Sequence, residues 1–175
     1  LVLGIVNACM GIGGIVGGLL VSMKRESRKK ANMIYVSAAL SFLLGDLTMA
    51  VGRNVFFWSF AALAASLPLP FIMAGQNFIL YKKIPDNIQG RIFAVKNAVQ
   101  YSTIPFGILL GGYLSDYVFE PFMRSNSDVV TLLEKIVGTG AGGGMAVMFL
   151  CTGICGFTMS IFSLFCKEIQ KLNDC

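Results

Sequence analysis

Ile84-Pro85-Asp86-Asn87-Ile88-Gln89-Gly90-Arg91-Ile92-Phe93 opens the stretch that decides the fold, and the stretch closes with Gly111-Gly112-Tyr113-Leu114-Ser115-Asp116. Its first half is a polar hinge with basic residues on both sides. Its second half is a long apolar run broken by Pro105 and Gly107, with no charged residue across 97–115. A helix that crosses a bilayer needs about 20 mostly apolar residues. Pro and Gly inside such a helix are tolerated, because neighbouring helices or water satisfy the freed backbone groups. The stretch therefore reads as a loop feeding an interrupted transmembrane helix.

The rest of the chain has the same character. Of 175 residues, 55% are hydrophobic and 13% charged, with a mean hydropathy of +0.73. A soluble domain usually carries about 25% charge, so the composition belongs to the membrane class. The 20 glycines agree, since Gly is commoner in transmembrane helices than in soluble ones. Apolar runs too long for strands, and without period-2 alternation, cover 1–23, 31–52, 54–81, 92–117 and 143–166. The predicted class is all-α, a polytopic helix bundle with five transmembrane helices. The chain opens inside an apolar run with no signal peptide, so a preceding N-terminal part is expected.

Charge sign alternates between the connectors. Lys24, Arg25, Arg28, Lys29 and Lys30 fill the first, and Lys82, Lys83, Arg91 and Lys96 surround the third. Lys167 and Lys171 lie in the tail, and the remaining basic residues are Arg53, Arg124 and Lys135. The positive-inside rule places the first and third connectors and the C-terminus in the cytoplasm. Basic residues split among loops, with no aromatic interleaving, are orientation signals and exclude a nucleic-acid partner.

Small and polar residues mark the helix faces. Gly4, Gly11, Gly14 and Gly18 line one face of the first span, with Asn7 between them and Gly13 and Gly17 beside them. Such a face expects a closely packed partner helix. The third span contains Pro68 and Pro70, with Ser59, Ser66, Met73 and Asn77 on the face of Pro70. It is either a kinked helix or a cavity wall. In the fourth span Asn97, Gln100 and Tyr101 form a polar stripe, followed by Gly107 and Gly111 as another small-residue pair. Polar groups at membrane depth face a bundle interior or a wet cavity. Interhelical hydrogen bonding is the structural alternative. The outer connector, 117–144, contains a candidate amphipathic helix at 128–137, capped by Ser127, with Val129, Leu133 and Ile136 on one face. The run Gly138-Thr139-Gly140-Ala141-Gly142-Gly143-Gly144 lacks the Lys-Ser/Thr of a phosphate loop and reads as a close-packed helix entry.

Catalytic and metal chemistry find little here. With no histidine, His-based triads and His-ligated metals are excluded. The five cysteines lack metal spacing, and Cys151 and Cys155 read as small packing residues. Asp46, Asp116 and Glu120 lie within or beside spans near their outer ends. Asp46 is the possible intramembrane carboxylate, and no carboxylate pair suits a hydrolase. Neither a metal nor a cofactor is expected, nor an enzyme.

Three patches resemble the C-terminal half of a major facilitator superfamily transporter of the bacterial macrolide-efflux-like type. Gly17-Gly18-Leu19-Leu20 followed by Arg28-Lys29-Lys30 resembles the basic cytoplasmic loop signature of that superfamily. Pro85 to Phe93 looks like the loop between spans ten and eleven. Gly112-Tyr113-Leu114-Ser115-Asp116, Phe119-Glu120-Pro121 and Gly138-Thr139-Gly140 resemble span eleven, its outer loop and the entry to span twelve. The resemblance covers the whole chain as spans eight to twelve. Ser22 stands where the signature has Asp, so that gating contact is not carried over.

The resemblance implies a partial transporter domain over 1–175 in a bacterial plasma membrane. It implies gating or basic-loop roles for Arg28, Lys29 and Arg91, and a substrate cavity lined by Asn7, Asn77, Asn97, Gln100 and Tyr101. The glycine faces would pack on the missing N-terminal half. The expected function is proton-driven efflux of small amphipathic compounds by alternating access, with the lipid bilayer as the other partner. A non-transporting membrane remnant or anchor is the alternative.

Overall fold

The computed structural model describes residues 2–23, 30–125, 128–138 and 142–166. Among them every regular element is a helix. Helix α1 is Val2–Met23, α2 is Lys30–Ser41, and a π-turn at Phe42–Asp46 leads into α3, Leu47–Val51. Helices α4, Val55–Ser66, and α5, Leu69–Lys83, follow. Then come α6, Gln89–Leu114, a second π-turn at Ser115–Phe119, α7, Glu120–Met123, α8, Asp128–Val137, and α9, Gly143–Phe165.

Four stretches are long and apolar enough to cross a membrane: Val2–Met23, Ala31–Val51, Val55–Lys83 and Gly143–Phe165. They match four of the five predicted spans to within three residues. The fourth predicted span is a 26-residue helix, α6, but it is not among the four. Asn97, Gln100, Tyr101, Ser102 and Thr103 dilute its hydropathy.

Packing is inverted relative to a soluble protein. Most of the buried side chains are small: Ala31, Ala39, Ala50, Ala61, Ala62 and Ala64, with Ser37, Ser66, Ser115 and Ser160, beside three valines, Val130, Val137 and Val147. Large side chains point outward, Phe56 at 88% and Phe162 at 73% exposure among them. Where lipid surrounds the helices, apolar burial gives no drive to associate. Close backbone approach over small residues supplies the contact instead.

Glycine sets these approaches. A Cβ on Gly13 would strike Ser66 and Leu63, and one on Gly17 would strike Leu67 and Pro70. Helix α1 is thereby seated on the α4–α5 arm. Gly45 lies on Ala65, and Gly144, Gly153 and Gly156 of α9 lie on Glu120, on Asp46 with Leu47, and on the Phe42 ring.

Both π-turns pack against α9. In each the backbone bond spans five residues, from Leu47 N–H to the Phe42 carbonyl and from Glu120 N–H to the Ser115 carbonyl. Pro121 explains the second: it has no N–H, and its ring crowds the carbonyl four residues back, at Tyr117. At the first, the Ser41 hydroxyl donates to the Ala65 carbonyl at 2.8 Å and ties the turn to α4. Pro68 and Pro70 break α4 from α5, and the chain reverses direction between α3 and α4 at Gly52-Arg53-Asn54. There the Trp58 indole donates to the Gly52 carbonyl at 2.9 Å.

The amphipathic helix forms over the predicted residues, but its faces differ from the expectation. Val130 and Val137 are buried and Leu133 half-buried, while Val129 and Ile136 are exposed with Leu132. The proposed Ser127 cap lies outside the described residues. The cysteine reading also changes: Cys151 and Cys155 are exposed on α9 rather than packed.

Candidate functional site

The hinge that opens the decisive stretch is built locally. Ile84 is extended, as a residue preceding proline should be, and α5 ends there. The Gln89 amide nitrogen donates to the Ile84 carbonyl at 3.0 Å and to Asp86 Oδ1 at 2.9 Å, and it reaches the Tyr81 carbonyl at 3.3 Å. One side chain thus caps the end of α5 and starts α6. Gln89→Ala is expected to speed amide exchange across 84–92 about tenfold, matching loss of about 1.4 kcal/mol of hydrogen bonding. Hydrogen-exchange mass spectrometry of this loop checks it.

Beyond the hinge, α5 and α6 are clasped at one end. Lys96 Nζ donates to Asn77 Oδ1 at 2.7 Å and lies 5.9 Å from the Phe93 ring centroid. The Phe93 and Tyr81 rings are 4.5 Å apart. The ammonium therefore has a polar acceptor and an aromatic face together. Sequence reading treated Lys96 only as a basic residue at a helix start. Its position one turn beyond Arg91, inside the helix, was the available signal.

Of the five candidate cavity residues, Asn77 alone is brought to a described partner, and that partner is Lys96. Asn7, Asn97, Gln100 and Tyr101 are exposed, Tyr101 at 67%. Their side chains make no hydrogen bond to any described residue, and no residue of α6 is buried. Ser102 and Thr103 differ, since their hydroxyls donate back to the Val99 carbonyl at 2.9 and 2.8 Å. Helix α6 therefore presents a polar stripe to open space between its clasp on α5 and its π-turn on α9.

Comparison with family models, with curated proteins and with solved structures finds no match to this chain.

The remaining predicted residues divide cleanly. Gly4, Gly11, Gly14, Gly18, Gly107 and Gly111 have nothing within 4 Å of a built Cβ, so these glycines pack on no described residue. The contact that seats α1 is made by Gly13 and Gly17 instead. Arg91 is exposed, and Arg28 and Lys29 lie outside the described residues. Asp46 sits in the first π-turn, and its Oδ2 accepts from the Thr152 hydroxyl at 3.4 Å, joining it to α9. Asp116 is exposed. Glu120 is structural: one carboxylate oxygen accepts the Gly144 N–H at 3.2 Å at the start of α9, and the other lies 3.4 Å from Arg124. An acidic group there complements the helix N-terminus. Among the described residues no group of three His, Cys, Asp or Glu could hold a metal.

Proposed function

We propose that this chain is part of a secondary transporter in a bacterial plasma membrane. Its five spans, α6 included, and a cytoplasmic C-terminus would work with further helices to export small amphipathic compounds by proton-driven alternating access. The observation that carries the reading is the stripe Asn97, Gln100 and Tyr101 on a helix with no buried residue. Polar side chains at membrane depth are costly against hydrocarbon. A water-filled path or polar substrate groups would satisfy them, and the apolar remainder of α6 suits amphipathic compounds better than sugars or ions. The motif resemblance to macrolide-efflux-like exporters points the same way, with Arg28, Lys29 and Arg91 as its basic-loop residues.

Two measurements test it. Cells expressing the complete reading frame should accumulate less of an amphipathic cation or a macrolide, and a protonophore should restore accumulation. Unchanged accumulation across a broad compound panel overturns the transporter reading and leaves a non-transporting anchor. For orientation, Cys175 should react with an impermeant thiol reagent only after the cells are permeabilised. Labelling in intact cells reverses the topology.

A further inference from the structure

Helix α8 divides its surface into three sectors, each repeating at i, i+3 and i+7. Val130, Leu133 and Val137 face the bundle: the two valines are buried and the leucine half-buried, with α8 packed on α3 and α9. Asp128, Thr131 and Lys135 form a polar sector, exposed along its length. Val129, Leu132 and Ile136 form the third, apolar yet exposed at 60%, 63% and 43%. At 3.6 residues per turn the Val129 sector lies about 100° from each of the other two, and the remaining gap of about 160° holds Glu134. A helix serving only as a surface cover needs two faces, one apolar and one polar. The third face needs an occupant.

Its level in the bundle identifies that occupant. Gly138, directly after α8, lies against the Arg53 guanidinium at the turn between the second and third spans. Gly142 begins α9, and Gly144 is tied to Glu120. The turn at Gly52-Arg53-Asn54, the end of α8 and the start of α9 therefore lie at one end of the bundle. Aromatic side chains stand about one helical turn from these points along the chain. Trp58 is hydrogen-bonded to the Gly52 carbonyl, and Tyr117 is stacked on Tyr113 with ring centroids 5.0 Å apart. Trp and Tyr concentrate where hydrocarbon meets headgroups. Gly138 after α8 and Gly142 before α9 both have positive φ, a conformation that glycine adopts without steric cost.

We propose that α8 is an interfacial helix whose Val129, Leu132 and Ile136 stripe is buried in the headgroup–acyl boundary of the membrane that the spans cross. The bundle holds one face, lipid the second and water the third. The side chains enter the boundary by about 5–10 Å. The stripe anchors the loop between α7 and α9 to the lipid surface and fixes the depth at which α9 begins. This inference rests on the membrane reading of the spans, and not on transport.

Tryptophan quenching tests it in the full chain, in a Trp58→Phe background reconstituted into phosphatidylcholine–phosphatidylglycerol vesicles. Leu132→Trp reports the third sector, Lys135→Trp the polar sector, and Ile154→Trp the middle of α9, where Ile154 is exposed. Leu132→Trp should be quenched by lipid brominated near the headgroup, and iodide should quench it at least about threefold less than Lys135→Trp. Equal iodide access at the two positions, or quenching of Leu132→Trp by neither reagent, overturns the proposal. The second result would mean that protein covers the stripe. Ile154→Trp should be quenched by lipid brominated deep in the acyl chain. If it is, a failure at Leu132 belongs to α8 alone. If it is not, the membrane reading fails and the interfacial proposal falls with it.

Discussion

Gly17→Leu is expected to unseat α1 and destabilise the chain by at least about 3 kcal/mol, the upper end of overpacking costs. At this position the new side chain meets the Leu67 carbonyl and the Pro70 ring, where the chain passes from α4 to α5. Backbone cannot swing aside as a flexible side chain does. Relief would require α1 to tilt away, which also opens the contact of Gly13 with Leu63 and Ser66. Gly11→Leu, with nothing within 4 Å, should be neutral, or stabilising by up to about 0.8 kcal/mol through helix propensity. Unfolding of the 175-residue chain in mixed micelles, followed by circular dichroism, separates the two variants. Equal stability would mean that α1 is not seated through Gly13 and Gly17. In the transporter proposed above, Gly11→Leu should become destabilising if another helix covers that face.

This contrast shows what the chain's own residues made legible. Helix content followed from uncharged apolar runs, because a backbone in lipid must satisfy its hydrogen bonds within a helix. Helix α8 was legible from the candidate Ser127 cap and its periodic apolar residues. Its orientation was not, since three sectors repeat with the same spacing and spacing alone cannot say which meets protein. The same ambiguity affects α1. Gly4, Gly11, Gly14 and Gly18 and the pair Gly13 and Gly17 both satisfy a small-residue pattern, and the partner surface chooses between them. Here Leu63, Ser66, Leu67 and Pro70 chose the pair. The π-turns were invisible to a reading at 3.6 residues per turn, although Pro121 hinted at the second. The clasp of Lys96 on Asn77 joins residues 19 apart across a loop, and its geometry depends on Gln89 folding that loop. The polar stripe on α6 follows from residue spacing on a helix. Its role depends on what lies opposite, which no feature of the stripe specifies.

The largest functional effect is expected from that stripe. Asn97→Leu combined with Gln100→Leu should leave membrane insertion and helix content intact, because neither side chain bonds a described residue and both are exposed. The same double variant should lower efflux at least about fivefold, the loss expected when buried polar groups of a bound solute or its waters lose their partners at about 1–3 kcal/mol. Ser102→Ala and Thr103→Ala supply the control. Those hydroxyls already donate to the Val99 carbonyl, so their removal subtracts nothing from an outside partner and efflux should hold. The measurement is initial export rate in energised vesicles containing the complete reading frame, normalised to inserted protein. A double variant with full export would remove the stripe from the transport path and reduce Asn97 and Gln100 to interhelical contacts. A variant that loses insertion together with export would assign them to assembly, since a helix with leucine at both positions is more apolar and should enter the membrane more readily. Loss of export with insertion kept is the outcome that requires a solute or water opposite α6.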